Sequence, residues 1–212
     1  MASWITRTPA IRDALSASTG QMGLILFGLS VGSMSGILMS GAAVSRFGTR
    51  PVAIAGLSLV VASMLAIGAG VILTSKMITA AGLALIGFGM GLSEIAVNVD
   101  GADVKRLSDR PLLHTLHGFY SLGTVGGALL GFALTAAGIP VFWHLASIAI
   151  AAGVMSFTAC RYFPAGVGRQ DRVNVTDRSD GPVWLSLMGD RRLLMITLII
   201  LGMALAEGSA ND

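Results

Sequence analysis

The feature that most constrains this chain is a series of long apolar stretches, each close to the length that crosses a lipid bilayer. A helical span needs about 20 predominantly apolar residues at about 1.5 Å of rise per residue. Six stretches meet that requirement, at residues 21–44, 51–74, 77–102, 112–137, 139–159 and 193 to about 211. They must be helices, because a single strand cannot satisfy its backbone hydrogen bonds in lipid. The sequence therefore predicts an all-α, polytopic membrane protein with about six transmembrane helices.

The composition favours a membrane protein and disfavours other classes. Hydrophobic residues make up 54% of the 212 positions and charged residues only 12%, a balance typical of membrane chains. The basic residues lie between the apolar stretches rather than along one face, which disfavours nucleic-acid binding. The single cysteine, Cys160, excludes an internal disulfide framework and a CxxC metal site. Residues 1–15 contain no continuous apolar core, so they are not expected to be a cleavable signal peptide.

The basic residues also predict the orientation of the helices. Eleven of the 14 lysines and arginines follow the first, third and fifth stretches, whereas Arg7, Arg12 and Lys76 lie on the opposite side. Because positively charged loops stay in the cytoplasm, both ends of the chain are predicted to face outward. The expected location is the plasma membrane, which in a bacterium is the inner membrane.

Mixed charges and turn residues mark residues 161–192 as a cytoplasmic linker. Before it, residues 21–160 are predicted to form a helical bundle of five spans. After it, residues 193–212 are predicted to begin a second bundle with one span.

Small residues recur at every fourth position in two of the spans. They are Gly28, Gly32, Gly36 and Ser40 in the first span and Gly123, Gly127 and Gly131 in the fourth. Such stripes let helix backbones approach closely within a membrane. Static packing and sliding of these faces during a conformational cycle both remain open.

A carboxylate interrupts the third stretch. If Lys105 and Arg106 mark the water boundary, Glu94 lies about 16 Å inside it, near the middle of a hydrocarbon core about 30 Å thick. An ionisable group at that depth is costly and is by default a candidate functional residue. Glu94 is therefore predicted to bind a proton or a solute, and the alternative is a structural acid that hydrogen-bonds to a neighbouring helix.

Two further polar residues follow Glu94 in the third stretch. Asn98 lies four residues later and shares the helix face of Glu94, whereas Asp100 points about 120° away. Binding a hydroxylated solute and joining two helices are equally compatible with the Asn98 amide. Asp100 lies nearer the cytoplasm and is assigned to an inner gate or its ion pairs.

His114, His117 and Tyr120 recur at intervals of three near the cytoplasmic end of the fourth span, where they form one polar stripe. In an antiparallel pair of helices this stripe lies at the depth of the acids in the third span, so a carboxylate–histidine contact is predicted there. A proton relay and a simple hydrogen bond between helices both fit that contact. The HxxH spacing lacks a third metal ligand, so neither a metal nor a cofactor is expected.

Two other polar side chains lie toward the outer ends of their spans. Glu207 falls about 22 Å beyond Arg192 along the last span and is counted among the candidates for proton or solute binding. His144 is adjacent to Trp143 and is interpreted as part of an aromatic belt at the outer interface.

The segment GAAVSRFGTRP, residues 41–51, resembles the loop between the second and third helices of the major facilitator superfamily. The matching positions are Gly41, Arg46, Gly48 and Arg50. Ser45 stands where that family usually has an aspartate, the acid of a gating ion pair. The resemblance implies gating roles for Arg46, Gly48 and Arg50. Asp100 and His114, near the same cytoplasmic end, are also assigned to the gate.

Two helix patterns resemble the fucose permease branch of sugar–proton symporters. SEIAVNV, residues 93–99, is similar to the glutamate-bearing fourth helix of that branch, and LHGFYSLGTVGGALLG, residues 116–131, resembles the fifth. The resemblance implies that Glu94 binds the proton or the sugar, with Asn98 matching the asparagine that follows. In this register residues 1–20 are the exit of a first helix and the last span is the seventh. The chain would then lack most of helix 1 and helices 8–12.

Together these features predict proton-coupled secondary transport of a small polar solute, such as a sugar, by alternating access within a larger carrier. The alternative is a non-transporting module, or one part of a split transporter, that needs a second chain. The expected partners are the solute, protons and the lipid bilayer. No nucleophile, base and orienting group occur together, which disfavours an enzyme. No ring-forming motif appears, which disfavours a channel.

Overall fold

A computed structural model describes residues 2–108, 112–164, 166–169 and 195, and for residues 2, 105–108, 112–114, 116 and 117 it describes the backbone alone. Seven helices form in this part of the chain. They are α1 (Ala2–Ile5), α2 (Thr8–Ala14), α3 (Thr19–Phe47), α4 (Thr49–Ile72), α5 (Lys76–Ser108), α6 (Leu112–Ala136) and α7 (Val141–Cys160). The protein is all-α and polytopic, as the sequence predicts.

Five of these helices, α3 to α7, are long and apolar enough to cross a membrane. Each coincides with one of the first five predicted spans, and most bounds differ by only a few residues. The largest difference is at α5, which continues to Ser108, six residues beyond the predicted end. The sixth predicted span, from residue 193, lies outside the described residues apart from residue 195.

Local sequence signals explain where α3 begins and ends. Ser18 accepts a hydrogen bond from the Gln21 backbone N–H at 3.2 Å, and the Gln21 side chain accepts one from the Ser18 N–H at 3.1 Å. This reciprocal capping box satisfies two free N–H groups of the first turn. At the other end Gly48 adopts a φ of 85°, a conformation that suits glycine. The loop predicted around residues 44–51 is therefore a break at a single residue, with α4 beginning at Thr49.

The third predicted span is the centre of the bundle, because α5 packs against both α3 and α4, and α7 packs on the far side of α4. One buried apolar cluster joins α1 and α2 to the adjacent ends of the long helices and includes Trp4, Ile11, Ile67 and Leu145. A smaller cluster lies near the α3–α4 break and includes Val44, Ala53, Leu92, Ala96 and Cys160.

The small-residue stripe of α3 brings its backbone against that of α5. A Cβ added at Gly28 would lie 3.1 Å from the Ala80 carbonyl oxygen, and one added at Gly32 or Gly36 would overlap a carbonyl of α5. Three successive turns of α3 thus depend on glycine for their contact with α5. This is the close approach that the spacing predicts.

Residues 166–169, in the first part of the predicted linker, pack against the α3–α4 break. The Thr49 N–H donates to the Val167 carbonyl at 2.9 Å. A Cβ added at Gly168 would lie 3.3 Å from methyl carbons of both Thr49 and Val99. The chain after α7 therefore contacts α4 and α5.

Candidate functional site

Glu94 and Asn98 lie on one face of α5, as their spacing of four residues predicts. Both side chains are exposed. Gly87 and Met90 precede them on the same face, and both line a cleft. At about 1.5 Å per residue, Glu94 is about 6 Å and Asn98 about 12 Å beyond Met90 along the helix.

The cleft lies among α1, α3, α5 and α6 and has a volume of about 520 Å³. Its polar lining comes from the hydroxyl groups of Ser30, Ser33 and Tyr120, and the other lining residues are mostly apolar. Tyr120 is itself 65% exposed. This volume and this mixture of an apolar wall with a few hydroxyl groups are within the range that binds small molecules.

Trp4 forms one wall of the cleft and is only 3% exposed. Its indole Nε1–H is buried and has no hydrogen-bond acceptor within the described part of the chain. Leaving a buried donor without a partner costs about 1–3 kcal/mol.

Glu94 has no hydrogen bond or ion pair with any residue of the described segments. A structural acid of the kind considered from the sequence would need a donor on a neighbouring helix. Asn98 likewise makes no hydrogen bond that would join two of the described helices. The two side chains thus form an exposed polar face that continues the α5 wall of the cleft.

Asp100 occupies a different environment, in agreement with its predicted 120° separation from Glu94. It is 8% exposed and accepts a hydrogen bond from Thr49 Oγ1 at 3.3 Å. Thr49 is fully buried and holds the Val167 carbonyl through its own N–H. Asp100 therefore lies at a junction of α4, α5 and the segment after α7, at the end of the bundle where the sequence places the gate.

The other predicted gating residues surround the α3–α4 break. Arg46 is exposed, with its guanidinium 5.3 Å from the centre of the Phe47 ring. Arg50 is half-buried at the start of α4. The Ser45 hydroxyl donates to the Ala42 carbonyl of its own helix at 3.0 Å, where an aspartate would be a charged acceptor. The structure therefore brings Arg46, Gly48, Arg50 and Asp100 to one end of the bundle.

The remaining predicted site residues are only partly described. The backbones of His114 and His117 belong to α6, but their side chains lie outside the described set. The carboxylate–histidine contact therefore stays a prediction. Glu207 also lies outside the described residues.

The sequence interpretation of His144 was wrong, because His144 is fully buried whereas the adjacent Trp143 is 66% exposed. Nε2 of His144 lies 2.6 Å from Ser3 Oγ, and Nδ1 accepts a hydrogen bond from Arg7 Nε at 2.7 Å. Adjacent helix positions point about 100° apart, so Trp143 and His144 cannot share one environment. The periodicity of the apolar residues Val141, Leu145 and Ala149 was the signal that places His144 inward.

Arg7 is the other residue whose role the sequence did not reveal. It is 4% exposed and donates through Nη2 to the carbonyls of Leu134 at 3.3 Å and Ile139 at 2.5 Å. Burial lowers the pKa of its guanidinium from the ordinary value, although arginine stays charged in proteins. Arg7 thus ties the N-terminal segment to the turn between α6 and α7.

Two known proteins are similar to this chain in sequence. The chain is 24% identical over 214 residues to an uncharacterized MFS-type transporter of Yersinia pestis, a match that covers all of the chain and 52% of that protein. It is 25% identical over 216 residues to an uncharacterized transporter of Sinorhizobium fredii, with 53% of that protein covered. The first of these proteins is thus named as a member of the major facilitator superfamily and the second as a transporter. The chain spans about half the length of these curated relatives.

Two further comparisons found no match. No protein-family model matches the chain, and no solved structure does. Both similar proteins are named as transporters, and neither name gives a solute or a branch of the superfamily.

Proposed function

We propose that this chain forms a helical bundle of a major facilitator carrier that moves a small polar solute, such as a sugar, together with protons by alternating access. The observation that carries the proposal is the position of Glu94, an exposed carboxylate without a partner in the described residues, about one turn beyond a 520 Å³ cleft. The carboxylate binds the proton, and Asn98 with the cleft hydroxyls binds the solute. The bacterial inner membrane is the proposed location, and both curated relatives are named as transporters.

The gating part of the proposal rests on the end of the bundle that contains Asp100. There Gly48 and Thr49 contact the segment after α7. The buried Asp100 carboxylate accepts a hydrogen bond from Thr49, and the half-buried Arg50 follows at the start of α4. A change in this junction would alter how α4 and α5 meet that segment. Arg46, Gly48, Arg50, Asp100 and His114 are proposed to contribute to the gate, and His117, Tyr120 and Glu207 to proton or solute binding.

The test is uptake by a complete carrier that includes this chain, reconstituted in vesicles with radiolabelled fucose and glucose as probes. Glu94→Gln keeps the size of the side chain, but the glutamine amide cannot bind and release a proton at physiological pH. We expect Glu94→Gln to abolish accumulation driven by a pH gradient while exchange of internal for external sugar continues. Asp13→Asn is the matched control, because Asp13 is an exposed carboxylate paired with Arg12 on α2. Undiminished uphill uptake by Glu94→Gln would contradict the proton-binding role.

The second candidate function is a membrane module that needs further helices from a second chain. The observation that favours it is the exposure of α6. Only 6% of the residues in its apolar, membrane-spanning segment are buried, whereas 50% of those in the corresponding segment of α5 are buried. A Cβ added at Gly123 or Gly126 would meet nothing within 4 Å. A face of this kind is suited to a partner helix that carries small residues.

The second candidate function predicts that another chain covers the exposed face of α6. For the second, co-expression with a chain supplying the other bundle should protect a cysteine at Gly123 from a lipid-soluble maleimide. A cysteine at Trp143, exposed on α7, is the matched control. Equal labelling of the Gly123→Cys variant with and without the second chain would contradict this function.

A further inference from the structure

Arg7, His144 and Ser3 form a buried polar cluster that neither proposed function uses. It joins a segment near the start of the chain to a residue 137 to 141 positions later. The hydrogen bonds define the protonation of the imidazole. Arginine is only a donor, so Nδ1 must accept from Arg7 and therefore carries no proton. The ring hydrogen is then on Nε2, which donates to the Ser3 hydroxyl oxygen.

We propose that these three residues are an acid-sensitive latch, which holds the segment of residues 3–15 against the α6–α7 turn and opens when Nδ1 of His144 binds a proton. A doubly protonated imidazole has two donors and no acceptor. At the 2.7 Å separation of Nδ1 from Arg7 Nε, two N–H groups and two positive charges would then face each other. The protonated ring cannot remain in the latched arrangement.

No other described charge near the cluster offsets this repulsion. α2 packs in the same apolar cluster as the start of α7, but its Arg12 and Asp13 pair with each other at the surface. α4 packs along α7 and carries a single charged residue, Arg50, at its opposite end. The ionisable residues of α6, among them Tyr120, lie at its start, whereas Arg7 contacts its last turns. Arg7 is therefore the charge that His144 faces.

Opening of the latch would act directly on the cleft. Trp4 and Ile5, which line it, lie between Ser3 and Arg7. A Cβ added at Gly131 of α6 would lie 3.1 Å from the Ser3 carbonyl oxygen, so the segment packs closely on α6 while the latch is closed. When Arg7 and Ser3 lose their hydrogen bonds to His144, Trp4 and Ile5 are free to move away from the other walls of the cleft. The inference does not depend on transport, and its test uses the 212-residue chain alone.

The size of the effect follows from proton linkage. A free imidazole binds a proton near pH ~6.5, and in this scheme the open form alone can bind it. The ratio of open to latched molecules then rises about 30-fold between about pH 7.5 and about pH 5.

The experiment measures how fast maleimide labels a cysteine at Ile11, which is 1% exposed in the latched segment. The chain is reconstituted in lipid vesicles with Cys160→Ala, so that Ile11→Cys is the single thiol. Ala14→Cys, exposed on the same helix, is the reference at every pH. The ratio of the two rates cancels the ordinary effect of pH on thiol reactivity. We expect this ratio to rise about 30-fold on acidification, as the linkage predicts.

Two substitutions at His144 separate the latch from a merely structural role. In His144→Asn the amide oxygen can accept from Arg7 in place of Nδ1, but the amide does not bind a proton, so the ratio should stay low at both pH values. His144→Leu removes the acceptor and should raise the ratio at both. Arg12→Gln, which removes a surface arginine from the same segment, should keep the acid response. A flat ratio in the parent chain, or an equal acid response in His144→Asn, would overturn the proposal.

Discussion

Gly32 lies where α3 crosses α5, and its replacement by alanine tests the contact on which the bundle depends. The residue is buried, and an added Cβ would overlap the carbonyl group of Ala84. The overlapping atoms belong to the backbone of a helix, so no side chain can rotate away to make room. Gly28 on one side and Gly36 on the other contact the turns at Ala80 and Phe88 in the same way.

The cost follows from the rigidity of two adjoining helices. Either α3 and α5 separate over the whole crossing, or the Ala84 peptide leaves its helical position. Inserting a methyl group into such a packed contact costs about 1–3 kcal/mol. At about 1.4 kcal/mol per factor of ten, the unfolding equilibrium constant should rise about 5- to 150-fold.

The assay is equilibrium unfolding of the full chain in mixed micelles with increasing sodium dodecyl sulfate. Gly23→Ala is the matched control, because Gly23 lies on the same helix and an added Cβ would meet nothing within 4 Å. Gly23→Ala should leave the stability unchanged or raise it by up to about 1 kcal/mol, because alanine has a higher helix propensity than glycine. If Gly32→Ala and Gly23→Ala shift the unfolding midpoint equally, the close approach of α3 and α5 does not stabilise the bundle.

Two more predictions concern the end of the bundle at the α3–α4 break. Thr49→Val removes the donor to the buried Asp100 carboxylate and should destabilise the chain by about 1–3 kcal/mol in the same unfolding assay. Thr49→Ser retains the hydroxyl and should recover most of that loss, whereas equal effects would refute a role for the hydrogen bond. Arg106→Cys, with Cys160→Ala, should react with an impermeant maleimide only from the cytoplasmic side, since basic segments stay there. Labelling from the outer side would invert the predicted topology.

Two aspects of the candidate site could be read from periodicity alone. The spacing of four residues places Glu94 and Asn98 together, and the helical angle separates Asp100 from them, as the structure also has it. The roles of these residues stay proposals. The cleft could not be predicted, because its walls come from four helices and include Trp4, which lies far from Met90 in the sequence.

The sequence by itself determined the five long helices and the stripe of glycines on α3. Each depends on residues within one continuous segment, where apolar length decides whether a helix can span a membrane and the helical repeat decides which residues share a face. Only the tertiary structure decided that the hydrogen-bond partners of His144 are Ser3 and Arg7. Its environment depends on Ser3 and Arg7, which lie 141 and 137 positions away along the chain. The hydropathy of one segment does not identify a hydrogen-bond donor that is distant in the sequence. The buried polar cluster therefore becomes visible only in the packed structure.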